Sequence, residues 1–215
     1  MRSCDCSLLT VIVKQGKASK ILSELKESGV RGGTILYGHG TSPSEFLHLL
    51  ELYEIKKELL LMVVPSALED KLHDQLDQNP VFNRNNGLAF SIPLVGLKGT
   101  HIATKDVDIN EDRDFSEYDL VVSVVEKDMG EDIIEYAHSV GAPGATIVKG
   151  RGSGIKQEDT LFNLRIEPEK ELVLMVTQRD KTAGIKEVID EKTNLDQPGT
   201  GILFVMPIHR ATGKL

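Results

Sequence analysis

Short apolar runs and amphipathic stretches alternate along the 215 residues, and the same order occurs twice. Leu8–Val13 and Leu120–Val125 are near-continuous apolar runs rich in β-branched residues, and they predict buried strands. Helical spacing follows each run. In the first half it falls on Ile21, Leu22 and Leu25; in the second it falls on Ile133, Ala137 and Val140, behind a D-x-x-E start at Asp128 and Glu131. Gly29 and Gly141 stand where C-cap glycines end such helices. Second strands are predicted at Thr34–Tyr37 and Thr146–Lys149, and third strands at Leu59–Val64 and Leu172–Val176. Ser66 and Glu69 read as a capping box opening a second helix, with Leu68, Leu72 and Leu76 on one face. Its counterpart carries Ile185, Val188 and Ile189, and the last strands are Leu88–Leu94 and Ile202–Ile208. The order βαββαβ, written twice, predicts an α+β fold of two tandem ferredoxin-like units, each an antiparallel sheet with helices on one face.

The two copies align residue by residue. Leu8–Gly40 falls on Leu120–Gly152 without gaps at an offset of 112, and GVRGGTILYGHG from Gly29 shares six of twelve residues with GAPGATIVKGRG from Gly141. Glu58-Leu-Leu-Leu-Met-Val then matches Glu171-Leu-Val-Leu-Met-Val at 113, and Gly87-Leu-Ala-Phe-Ser-Ile-Pro matches Gly201-Ile-Leu-Phe-Val-Met-Pro at 114. The offset grows by one residue twice, each time across a loop, as a duplication with small insertions would give. The predicted domains are residues 7–97 and 118–215, joined by an acidic linker at 98–117 that holds Asp106, Asp108, Glu111, Asp112, Asp114 and Glu117.

Composition narrows the function. A net charge of −8 with no Lys/Arg cluster argues against nucleic acid as a partner. The longest apolar runs fall well short of the ~20 residues that cross a bilayer, and no signal-peptide pattern precedes the first strand, so the expected location is the cytoplasm. Cys4 and Cys6 have one residue between them and read as an N-terminal tail, with no neighbouring ligands to complete a metal set. The six histidines are scattered, and neither a P-loop nor G-x-S-x-G occurs, so no enzyme is predicted.

Candidate chemistry lies in the loops. A loop of about twenty residues between the second and third strands exceeds what a hairpin needs. Its base is glycine-rich in both copies: Gly38-His39-Gly40-Thr41 and Gly150-Arg151-Gly152-Ser153-Gly154. Alternating glycines let backbone N–H groups approach phosphate oxygens closely. A second glycine-bearing loop, Pro198-Gly199-Thr200-Gly201 and its equivalent Asn85-Asn86-Gly87, enters the last strand. Two such loops at one sheet end would make an anion cradle.

The run GATIVKGRGSG, the strand ELVLMV and the closing GTGILFVMPI resemble the PII nitrogen-regulatory proteins, most fully over Tyr118–Gly213. The resemblance implies a non-enzymatic signalling protein that binds an adenine nucleotide (AMP, ADP or ATP) or a similar small anionic effector between neighbouring units. It also implies a homo-oligomer that acts on a target protein through its long T-loops, without membrane insertion. Carried over, Gly150, Arg151, Gly152 and Ser153 would hold the nucleotide at the T-loop base, Gly199, Thr200 and Gly201 would wrap its phosphates, and His209 and Arg210 would add basic contacts. In the first half the matching positions are Gly38, His39, Gly40, Asn86 and Gly87, with Lys56 or Lys57 as the lysine that the family places before its third strand. The second half has Glu169 there and Ile202 or Leu203 where the family has another lysine, which implies weak triphosphate binding or a less charged ligand. Tyr53 lies in the first long loop beside Leu49, Leu50 and Leu52 and reads as a packing residue. The rival reading is an ACT- or CutA-like ferredoxin-fold module for an amino acid or metal. Against the former, a glycine after the first strand occurs in one copy as Gly16 but is Asp128 in the other.

Overall fold

The computed structural model describes residues 6–40, 55–84, 87–94, 115–151, 159–161, 164–166, 169–195, 197 and 200–213. In chain order the elements are β1 (Cys6–Lys14), α1 (Ala18–Glu27), β2 (Thr34–Gly40), β3 (Ile55–Pro65), α2 (Ser66–Asp77), α3 (Pro80–Arg84) and β4 (Leu88–Leu94). There follow β5 (Tyr118–Glu126), α4 (Gly130–Ser139), β6 (Thr146–Arg151), β7 (Asp159–Leu161), β8 (Leu164–Ile166), β9 (Glu169–Gln178), α5 (Arg179–Thr193), β10 (Gly201–Pro207) and β11 (Arg210–Gly213). Both halves therefore run β-α-β-β-α-β, and the fold is α+β and ferredoxin-like.

The chain divides into two compact units along boundaries that differ from the simple halves. The first holds the described residues of Met1–Tyr37, Lys56–Tyr118 and Pro207–Leu215, and the second those of Gly38–Ile55 and Asp119–Met206. The C-terminal strand β11 thus belongs with the first unit, where it pairs antiparallel with β4 through Arg210–Ser91, Ala211–Phe90, Thr212–Ala89 and Gly213–Leu88. Gly38, His39 and Gly40, expected in a loop base, are the end of β2 and pair with Val148, Ile147 and Thr146 of β6. Cys6, read as tail, opens β1 and is 1% exposed, because its register places it between Pro65 of β3 and Leu94 of β4. Cys4, Tyr53 and linker residues 98–114 lie outside the described residues.

Within each unit alternate strand residues face the helices. In the first, Leu9, Val11 and Val13 of β1 and Leu60, Met62 and Val64 of β3 pack with Ala18, Ile21 and Leu25 of α1 and Leu72 and Leu76 of α2. In the second, Val121 and Val125 of β5 and Val173 and Met175 of β9 pack with Ile133 and Ala137 of α4 and Ile185 and Ile189 of α5. Gly29 and Gly141 do close their helices at positive φ, 111° and 90°.

The starts of α1 and α4 are satisfied from across the unit instead of locally. The expected capping box at α2 is not formed: among the described residues no side chain caps it, and the buried Ser66 hydroxyl has no hydrogen-bond partner. Glu69 instead accepts from the Ser7 hydroxyl at 2.6 Å. Nor does Asp128 cap α4; it sits at φ 68°, and the helix begins behind Met129. In both units a buried glutamate at the head of the third strand fills the gap. Glu58 accepts the N–H groups of Lys17 and Ala18 at 3.1 and 2.9 Å, and Glu171 accepts that of Gly130 at 2.9 Å. Each carboxylate meets unpaired amides and the positive end of a helix dipole. Glu58→Ala is therefore expected to lower unfolding stability by about 1–2 kcal/mol, read from a urea transition, with α1 loosened first.

Candidate functional site

The sheet of the second unit runs in the order β10-β5-β9-β6. Antiparallel register sets Gly150 opposite Lys170 and Arg151 opposite Glu169, so the outgoing end of β6 meets the incoming end of β9. The end of β5 arrives at the same place, since Lys127 pairs with Glu169 at 2.6 Å and Lys170 with Glu126 at 3.8 Å. A cavity of about 260 Å³ opens there, lined by Lys127, Lys149, Gly150, Arg151, Glu169 and Lys170, with Glu171 also on its wall. Four cationic side chains around one small hollow make it receptive to anions, and Gly150, with no side chain to stand in the way, lets a ligand approach the backbone closely. Glu171 is held in place by its bond to the α4 amide, so it is occupied as a cap.

Charge coupling at the mouth is direct. Hydrogen bonding to Glu169, then its charge, raises the Lys127 pKa, and Glu169 is lowered by the same hydrogen bond and charge, with Arg151 and Lys149 adding to the effect. Both groups are more than half exposed, so the pair stays ionised in neutral water but is weak and salt-sensitive. The first unit presents a different face at its corresponding end. Lys14 and Lys57 sit directly opposite each other across β1 and β3. Burial, helped by the Lys14 charge, lowers the Lys57 pKa.

Of the residues expected from sequence, Gly150 and Arg151 line the cavity; Gly152, Ser153, Gly199 and Asn86 lie outside the described residues. Thr200 and Gly201 enter β10. A Cβ on Gly201 would stand 2.7 Å from the Val124 carbonyl oxygen, which places Gly201 beside the end of β5 and so at the same end of the sheet as Gly150. Three inter-strand steps separate β10 from β6, or about 14 Å. Gly150 and Gly201 thus share an end of the sheet but stand on strands that are not neighbours. Gly38, His39 and Gly40 are strand residues, Lys56 is an exposed residue of β3, and Gly87 leads into β4.

His209 and Arg210 are engaged in the first unit, against α2. His209 Nδ1 lies 2.6 Å from a Glu69 oxygen, and Arg210 donates to Asp70 and, at 2.6 Å, to Asp74. Beside them the buried His73 bridges Thr212 Oγ1 of β11 at 2.7 Å and Ser91 Oγ of β4 at 2.6 Å. These residues fasten the C-terminal strand to the first unit. Among the described residues, no three His, Cys, Asp or Glu side chains gather as a metal site, and no helix is long and apolar enough to cross a membrane.

Sequence reading missed Lys127, Lys149 and Lys170. The signal for Lys170 was present: the offset of 113 that aligns Glu58 with Glu171 also aligns Lys57 with Lys170. β9 begins at Glu169, three residues before the expected Leu172, so the lysine lies inside the strand and not in the loop before it.

Residues 118–213 match the family model of nitrogen regulatory protein P-II. Over those residues the chain is similar to a PII domain. Solved structures similar to this chain include Arabidopsis thaliana PII bound to citrate, at 21% identity over 43% of this chain and 75% of that one, with a TM-score of 0.33. A protein described as a PII-like signalling protein of Thermus thermophilus aligns at 17% identity over 46% of this chain and 89% of its own, with a TM-score of 0.32. A protein described as a monooxygenase of Fusobacterium nucleatum spans 100% of this chain and 96% of its own at 10% identity and a TM-score of 0.30. Superpositions this loose add nothing to the family match. No curated protein matches the chain.

Proposed function

We propose that this PII-like protein is a signal-transduction regulator, without chemistry of its own, that senses a small anionic effector such as an adenine nucleotide and passes the signal to a target protein through its T-loops. The observation that carries the reading is the cationic hollow where β6 and β9 meet, at the base of the segment that the PII resemblance makes the T-loop. Gly150 and Arg151 supply a close backbone and a planar donor, and Lys127, Lys149 and Lys170 supply charge. The separation of this hollow from Gly201 supports a site completed by a neighbouring unit of a homo-oligomer, whose own β10 entrance would bring the second set of amides. Energy or nitrogen status in the cytoplasm is the signal that fits such a ligand.

Titration calorimetry with ATP, ADP and AMP tests this. Binding of at least one nucleotide is expected, and Arg151→Ala should weaken it about ten- to hundredfold, the worth of one hydrogen bond to a charged group. By linkage, the ligand should also raise the unfolding temperature of the wild type and raise that of Arg151→Ala less. A protein that ignores all three nucleotides but is stabilised by an amino acid would favour the ACT-like alternative.

A further inference from the structure

Glu169 stands where an anion would stand. Its carboxylate is bonded to Lys127 at 2.6 Å, it is the cross-strand partner of Arg151, and it lines the same hollow as Lys149 and Lys170. Among the described residues, the ion pairs at this end of the sheet are Lys127–Glu169 and Lys170–Glu126. Thus two of the four cations around the cavity are already answered by acids of the chain itself. The first unit is built differently at the equivalent positions. The offset of 113 puts Lys56 in place of Glu169, and the offset of 112 puts Lys14 in place of Glu126. There Lys14 faces Lys57 instead of an acid. Like charges set opposite each other cost stability that a bound anion would return.

We propose that Glu169 is a built-in competitor whose carboxylate occupies the anion position of the second unit, so that an effector must displace it from Lys127 before binding. The proposal rests on the anion-site reading above and adds to it a residue that sets affinity. It makes the two copies unequal: the second carries an acid of its own at this position, and the first carries a lysine. Displacement requires only that an exposed side chain swing away, since Glu169 is 53% exposed and its backbone is held in β9 by pairing with Arg151.

Calorimetry at low ionic strength, with ATP and with inorganic pyrophosphate as probes, tests it on three variants. Glu169→Gln keeps the shape and removes the charge, and it should bind either probe about two- to fivefold more tightly than the wild type, as expected for freeing an exposed ion pair. Glu187→Gln, an exposed acid on α5, controls for net charge and should leave affinity unchanged. Adding Arg151→Ala to Glu169→Gln should cancel the gain, because both act on one site. High salt should shrink the gain, since the pair is screened. Equal affinities for wild type and Glu169→Gln, or an equal gain from Glu187→Gln, would overturn the competitor while leaving the anion site intact. Failure of every variant to bind either probe would overturn both.

Discussion

Moving from pH 7.5 to 4.5 should lower unfolding stability by about 2–3 kcal/mol through His73 alone. The imidazole is fully buried between α2, β4 and β11, and its pKa is lowered from 6.5 to about 4 by burial and then by the Arg210 charge, against the smaller opposing pull of Glu69, Asp70 and Asp74. Neutral, it is satisfied: one ring nitrogen donates to a hydroxyl and the other accepts from one, through Thr212 and Ser91. The unfolded chain takes up a proton below about pH 6.5, and the folded chain only near 4. Stability is therefore full above the unfolded value, falls through the interval and levels off below it. Urea midpoints measured across this range should slope in the wild type and slope less in His73→Leu, whose absolute stability is lower throughout because two hydroxyls lose their partner. Parallel slopes would show that acid acts elsewhere. The strand most exposed to the change is β11, which also depends on Arg210 and His209 for its hold on α2.

That fastening was invisible to sequence reading, and the reason is physical. Arg-Ala-Thr-Gly has no alternation of apolar residues, so nothing local marks it as a strand. It becomes one because β4 offers an edge and α2 offers Glu69, Asp70, His73 and Asp74, some 140 positions earlier in the chain. His209 and Arg210, which the family resemblance implied as ligand contacts, have their side chains bonded to α2 there. The hydrophobic elements were legible because their spacing is a property of the segment itself: the apolar strands and long helices fell where the periodicity put them, except that Val140, expected on the apolar face of α4, follows the end of that helix and is exposed. Polar ends were not. Asp128 and Ser66 look like local caps, but α1 and α4 are anchored by the third strand of their units, and Glu58 and Glu171 were recognised only as the first letters of a repeated strand.

Polar contacts differ between the two units while the order of elements agrees. The Ser7 hydroxyl donates to the Glu69 carboxylate in the first unit. At the equivalent positions of the second, the Thr182 hydroxyl donates to the Asp119 carboxylate at 2.9 Å. Donor and acceptor have exchanged elements, yet one buried acid still meets one hydroxyl between the first strand and the second helix. Burial demands that the pair be satisfied; it does not say which side brings the charge. The cavity end, open to water, carries no such demand. There the charges differ in sign, with Lys14 and Lys56 in the first unit against Glu126 and Glu169 in the second.

Replacing Gly201 by alanine should cost about 2–4 kcal/mol and loosen β10 ahead of the rest of the second unit. Its φ of 152° lies in the region that favours glycine, and an added Cβ would stand 2.7 Å from the Val124 carbonyl oxygen and 3.2 Å from Val125 Cγ1. The first obstacle is backbone in the neighbouring strand and cannot rotate aside, so β10 must shift away from β5. Hydrogen exchange should then quicken at Leu203 and Val205, whose side chains pack on the core, while β1 and β3 of the first unit keep their protection. The variant separates two reasons for a glycine here. From sequence it reads as a residue that lets backbone amides reach a phosphate, whereas the geometry makes it necessary for strand packing with no ligand present. A loss of stability in the unliganded protein supports packing. Unchanged stability with weakened nucleotide binding would return Gly201 to the effector site.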